Sequence, residues 1–386
     1  MYINKFVKVV IGFLCLFVVG FLIYFIRIDT SDIRFAVANN STFELRMMIL
    51  KGADINQNIG DFGDVSPLEH ALFLGHFSMV KLLVESGAKI DDKPILETLI
   101  KYKSGDKHVH EILRYLLDKG LDPRNTNKDG DSILHNIARY DYSNQGSLVS
   151  ALSYRGILGD LINLKNNKNE TALHVAARQY DSRGLISTLV YNGADITQKD
   201  ELGRNPLQCA ILLGNLDGAR LLYDSDAFDS KGTLSHADKN GNYSLTMIIN
   251  ASFQYDEDDW FKIGRDVANY VDVNGIYSDK SSALPPLYAA VYHKNYKFVK
   301  LLLAQGAKVD DITGDKTPLM IAAKHTYGEN RSDIVDLLLA HGADPYLRVN
   351  NGKSALEIAT ENPKPSHDII EMMKTGTKKK HQTSKQ

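Results

Sequence analysis

Two short phrases recur along this chain in a fixed order, and that recurrence constrains the fold more than any other feature. One reads Met79-Val80-Lys81-Leu82-Leu83-Val84-Glu85-Ser86-Gly87-Ala88, and it returns at Phe298–Ala307 and at Ile334–Ala343. Upstream of each lies the other: Ser66-Pro67-Leu68-Glu69-His70-Ala71, Pro285-Pro286-Leu287-Tyr288-Ala289-Ala290 and Thr317-Pro318-Leu319-Met320-Ile321-Ala322. Variants of this second phrase start at Thr171, Asn205 and Ser354. A chain written this way stacks similar supersecondary units, each burying its apolar side only against its neighbours.

Each phrase has a physical reading. Thr, Ser or Asn satisfies the first free amides of a helix, and proline in the first turn gives up no needed hydrogen bond. Leu and Ala on that helix's inner positions leave a slim surface for close stacking. The Val-Lys-Leu-Leu phrase places apolar residues at helical spacing and predicts a second, amphipathic helix. Gly52, Gly87, Gly193, Gly306 and Gly342 follow it, where a left-handed residue ends a helix. The connections that come next, such as Asn127-Lys128-Asp129-Gly130 and Asp238-Lys239-Asn240-Gly241, suit tight turns.

On these residues the chain resembles the ankyrin-repeat family, whose signature is T-P-L-H-x-A within about 33 residues. The resemblance implies an all-α repeat fold, a solenoid of helix-turn-helix units over residues 32–374. With the leucine position as marker, ten repeats are expected, at Ile33, Leu68, Ile95, Leu134, Leu173, Leu207, Leu245, Leu287, Leu319 and Leu356. Those at Ile95 and Leu245 are degenerate. Insertions between paired helices are expected around 140–147, 253–260 and 326–332, on surface loops that carry specificity.

Before the repeats, Val9 to Ile26 reads VVIGFLCLFVVGFLIYFI without a charge. As a helix of about 1.5 Å per residue it approaches the roughly 30 Å of a bilayer's hydrocarbon core. No small-x-small cleavage site follows, so an uncleaved signal-anchor helix is expected over residues 9–26, after a short segment at 1–8 and before a linker at 27–31. Lys5 and Lys8 on one flank favour a cytoplasmic N-terminus, placing the repeats in the periplasm of a bacterial inner-membrane protein. The chain then resembles bacterial, membrane-anchored ankyrin proteins. Residues 375–386 form a basic polar tail.

Forty-five Lys and Arg against 47 Asp and Glu supply no global field, which argues against a nucleic-acid partner. Two cysteines, Cys15 and Cys209, make no disulfide framework or zinc site. Asn127-Lys128-Asp129-Gly130-Asp131 starts like a calcium loop but lacks the sixth-position glycine and the distal Glu. His108 and His110 stand two apart and face apart on a helix. The signature histidine position, His174, implies a structural role. No nucleophile elbow, phosphate loop or paired-carboxylate motif is present, so neither an enzyme nor a cofactor is expected.

What remains is recognition of a protein partner on the concave face or the insertion loops. Trp260, the chain's one tryptophan, stands beside Asp256 and Asp258, and this pattern suits either an anchor for a basic partner or acids at a helix start. Tyr288 and Tyr292 lie one turn apart on one helix face, with Tyr288 at the signature histidine position. The function expected is a membrane-tethered scaffold, or a neutraliser that sequesters an exported enzyme. The alternative is a regulatory or targeting subunit of a complex on the cytosolic side.

Overall fold

The computed structural model describes residues 17–20, 22–23, 26–27, 29, 33–57, 65–90, 95, 98–99, 109–140, 145–154, 156–224, 234, 236–255, 257–274, 284–324, 331–363 and 365–375. The chain divides into two compact units, residues 1–166 and 167–386. Among the described residues both are helical. An isolated β-bridge pairs Thr313 with Lys316.

In the first unit the helices are α1 (Arg34–Ala38), α2 (Thr42–Leu50), α3 (Pro67–Phe73), α4 (Phe77–Glu85), α5 (Val109–Asp118), α6 (Ile133–Arg139), α7 (Gln145–Tyr154) and α8 (Leu158–Leu161). The second unit holds α9 (Ala172–Ala177), α10 (Arg183–Tyr191), α11 (Pro206–Leu212), α12 (Leu216–Tyr223), α13 (Ser244–Gln254) and α14 (Glu257–Ala268). It continues with α15 (Pro286–Tyr292), α16 (Tyr296–Ala304), α17 (Pro318–Lys324), α18 (Arg331–Ala340), α19 (Ala355–Thr360) and α20 (His367–Thr375). In the second unit first and second helices alternate, and within each unit first helices stack on first helices and second on second. Part of the expected third repeat, at 91–94, 96–97 and 100–108, lies outside the described residues, so the count of ten is not established.

The capping chemistry forms as the phrases imply. Ser66 and Glu69 close a reciprocal capping box on α3, as do Asn205 and Gln208 on α11 and Ser354 and Glu357 on α19. On α15 the cap position is Pro285, which offers no side-chain bond. At the other end, Gly87 and Gly306 take φ of 93° and 83°. The amides of Ala88 and Ala307 then return to the carbonyls of Leu83 and Leu302 at 2.9 Å, the six-to-one closure of a Schellman motif. The Gly-Ala pair of the repeat is therefore a helix stop. The calcium-like loop at Asn127 and the connection at Asp238 are both Asx turns. Asn127 Oδ1 accepts from the amides of Asp129 and Asp131, and Asp238 Oδ1 accepts from those of Asn240 and Asn242.

Two expectations need correction. The insertion expected as a loop over 253–260 is mostly helix: Phe253 ends inside α13 and Trp260 lies inside α14, with Tyr255 and Asp256 between. Extra residues here lengthen the helices, and Asp258 and Asp259 fall in the first turn of α14, where negative charge is favoured. The single-pass, inner-membrane placement is also overturned. No helix among the described residues is long and apolar enough to cross a membrane. Residues 9–16, 21, 24 and 25 of the apolar run lie outside the described residues, as do 376–386 of the tail.

Candidate protein-binding surface

The second unit presents its most distinctive surface where its first helices end. Beneath that surface is a buried polar frame that holds the repeats in register. His174 Nδ1 accepts from the Thr171 amide at 3.1 Å, so the ring proton sits on Nε2, which donates to the Arg204 carbonyl at 3.0 Å. The imidazole is fully buried, and burial lowers its pKa to about 4. Gln208 does the same work one repeat later: its Oε1 accepts from the Asn205 amide at 3.0 Å and its Nε2 donates to the His236 carbonyl at 3.1 Å.

Below these caps, Arg178 pairs with Glu170 and Asp200, and Arg204 pairs with Asp200 at 2.7 Å. Burial pushes the Asp200 carboxyl up, but the hydrogen bonds and charge of Arg204 outweigh it and hold the group below the usual carboxylate range. Burial raises the Cys209 thiol to about 11, which keeps it protonated and unreactive. These side chains are paired, enclosed and structural. Among the described residues, no group of three or more His, Cys, Asp or Glu could hold a metal ion.

Above the frame, consecutive first helices end in exposed aromatic or large apolar side chains. Tyr180 follows α9 and is 67% exposed; Leu213 follows α11. Phe253, 65% exposed, lies near the end of α13, and Tyr255 just beyond it. Tyr292, 51% exposed, ends α15 and His293 follows. Several of these residues lie against one another. Tyr255 stands beside Tyr180, and burial followed by Tyr180 raises the Tyr255 pKa. The Tyr255 ring covers Gly214, where an added Cβ would stand 2.4 Å from it. His293 stacks on Phe253 with centroids 4.5 Å apart, donates from Nε2 to Asn250 Oδ1 at 3.0 Å, and meets the edge of Tyr292 at 5.3 Å. Burial lowers the His293 pKa, which favours the neutral, stackable ring. The result is an aromatic row held in place by its own packing.

The sequence-derived candidates divide across this picture. Tyr292 lies in the row. Tyr288, one turn back, is half-buried, and burial followed by Tyr292 raises its pKa. Trp260 is 1% exposed and packs in the core of the second unit, so it is no surface anchor. The helical period explains why: Trp260, Ile263 and Val267 share one buried face of α14, with Gly264 on it. Asp258 is exposed and pairs with Lys297; Asp256 lies outside the described residues. Tyr180, Phe253, Tyr255 and His293 escaped the sequence reading. Their signal was a shared register, large side chains at the ends of successive first helices.

Comparison with known proteins bears on what such a surface does. The family of ankyrin repeats (3 copies) matches at residues 101–200, 149–233, 267–349 and 287–383. The phosphocholine transferase AnkX of Legionella pneumophila is 29% identical over 146 residues, 36% of this chain and 15% of that protein. The human transient receptor potential cation channel subfamily A member 1 is 25% identical over 294 residues, 71% of this chain and 24% of that protein. The chain thus spans between 15% and 25% of the lengths of the first curated relatives it matches. Among solved structures, the ankyrin repeat domain of Bcl-3 is 22% identical with a TM-score of 0.49, covering 64% of this chain and 100% of that one.

Proposed function

The chain belongs to the ankyrin-repeat family, and from that premise we propose that it is a non-catalytic recognition module that binds a protein partner through the aromatic row of its second unit. Ankyrin repeats are protein-interaction modules, and their fold is typically non-catalytic. One observation carries the choice of surface: the exposed rings of Tyr180, Phe253, Tyr255 and Tyr292 gather at the ends of successive first helices, with Phe253 and Tyr292 each packed on the half-buried His293. Rigid aromatics lose little conformational entropy on binding and dominate interface energetics. Isolated exposed apolar residues would need no explanation, whereas a connected row of them marks an interaction site.

The test is site-specific photo-crosslinking in the native host. A photoreactive phenylalanine at position 292 or 253 should trap a discrete protein, and excess unlabelled wild-type chain should suppress that adduct. The same probe at Lys300, on second helix α16, should not trap it. Equal trapping at 300, or adducts insensitive to competition, rejects the surface.

A further inference from the structure

At the head of α18, Arg331 occupies a position that three other repeats of the second unit fill with a small reach-back group. It is the residue four before a fully buried apolar one: Asn215 before Ala219, Asn295 before Val299, Ser182 before Ile186. Asn215 Nδ2 donates to the Ala177 and Gln179 carbonyls at 3.0 and 2.7 Å, and its Oδ1 accepts from the Gly218 amide. Asn295 Nδ2 donates to Ser252 Oγ at 3.1 Å, and Ser182 Oγ donates to the Ala176 carbonyl at 2.6 Å. Arg331 stands four before Val335, in the same register, yet makes none of these bonds. It is 5% exposed, and its Nη1 is buried without a hydrogen-bond partner.

A buried guanidinium with no counter-charge among the described residues is costly and signals a missing oxyanion. Burial lowers the Arg331 pKa to about 10, which leaves the group cationic at neutral pH. The α18 helix is 10 residues long, and its N-terminal amides add to the same attraction for negative charge. A planar carboxylate matches the guanidinium fork bidentately.

We propose that Arg331 is an oxyanion seat, filled by a carboxylate carried on the protein partner. By register, the head of α18 faces the end of the preceding first helix, α15, which carries Tyr292 and His293. The carboxylate's source therefore rests on the reading of the aromatic row as the binding surface; the seat itself does not.

The test uses the full chain and three probes, acetate, a hexaglutamate peptide and inorganic phosphate, each against chloride at matched ionic strength. Melting of the second unit is followed by Trp260 fluorescence. Near saturation, acetate and the peptide should raise Tm by about 2–4 °C. Arg331→Met should abolish that rise and, without anion, melt no lower than wild type, because it removes an uncompensated charge. If that variant fails to fold, Arg331→Lys should fold and lose most of the rise, since an ammonium lacks the fork. Tyr292→Ala should retain the rise, so failure of the aromatic row and failure of the seat are told apart. No anion response in wild type, or a full response in Arg331→Met, overturns the seat. A response to phosphate alone assigns it to a free anion and overturns the partner carboxylate.

Discussion

The fully buried His174 gives the sharpest quantitative expectation. Unfolded, its imidazole titrates near its ordinary value of 6.5; folded, burial lowers it to about 4. Between those values the unfolded chain binds the proton that the folded chain refuses, so stability falls as pH drops from 6.5 toward 4 and the loss is complete below that. Linkage over this window, worked from those two values, costs about 2.5 kcal/mol between pH 7 and pH 4.5. Carboxylates such as Asp200 add their own acid sensitivity, so the readout is a difference between two proteins. His174→Gln is the informative variant, because Gln208 already makes both equivalent hydrogen bonds one repeat on. At pH 7 it should cost no more than about 1 kcal/mol, the worth of an imperfect hydrogen bond. Urea unfolding followed by Trp260 fluorescence at pH 7, 5.5 and 4.5 should show wild type losing about 2.5 kcal/mol more than the variant. Equal acid losses in the two proteins would refute the burial argument.

Three further outcomes follow from the packing. Gly264→Ala should destabilise the second unit by about 1–3 kcal/mol in urea unfolding, because its Cβ would stand 2.4 Å from the Phe298 ring. Gly87→Ala meets no atom within 4 Å, so its cost of about 1–2 kcal/mol in thermal melts is conformational, set by a φ of 93°. Trp260→Ala should cost about 3–5 kcal/mol by circular dichroism, whereas Asp258→Asn, which loosens an exposed pair with Lys297, should change stability by less than about 1 kcal/mol.

The repeat was legible because its determinants are local. Ser66 and Glu69 cap, Gly87 stops, and Leu83 faces inward through interactions spanning a few residues, so the phrase carries its own structure. Trp260 was also legible in principle, since Ile263 and Val267 mark a buried face at helical spacing; its acidic neighbours drew attention to the surface instead. The row of Tyr180, Phe253, Tyr255, His293 and Tyr292 was less accessible. Its members lie tens of residues apart, and only the stacking of α9, α11, α13 and α15 brings them together. Arg331 is a similar case: nothing in its sequence neighbourhood says that a guanidinium there is enclosed without a partner. The apolar run at 9–26 invited a span from composition, and among the described residues no helix is long and apolar enough to cross a membrane.

The most direct measurement is the affinity of the cross-linked partner, once purified, for wild type, Phe253→Ala/Tyr292→Ala and Lys300→Ala by titration calorimetry. The row predicts a Kd weakened by about 30-fold or more for the double variant, two hot-spot truncations at more than about 1 kcal/mol each, with Lys300→Ala unchanged. A double variant that binds within about twofold of wild type while melting normally would contradict the aromatic row as the recognition surface.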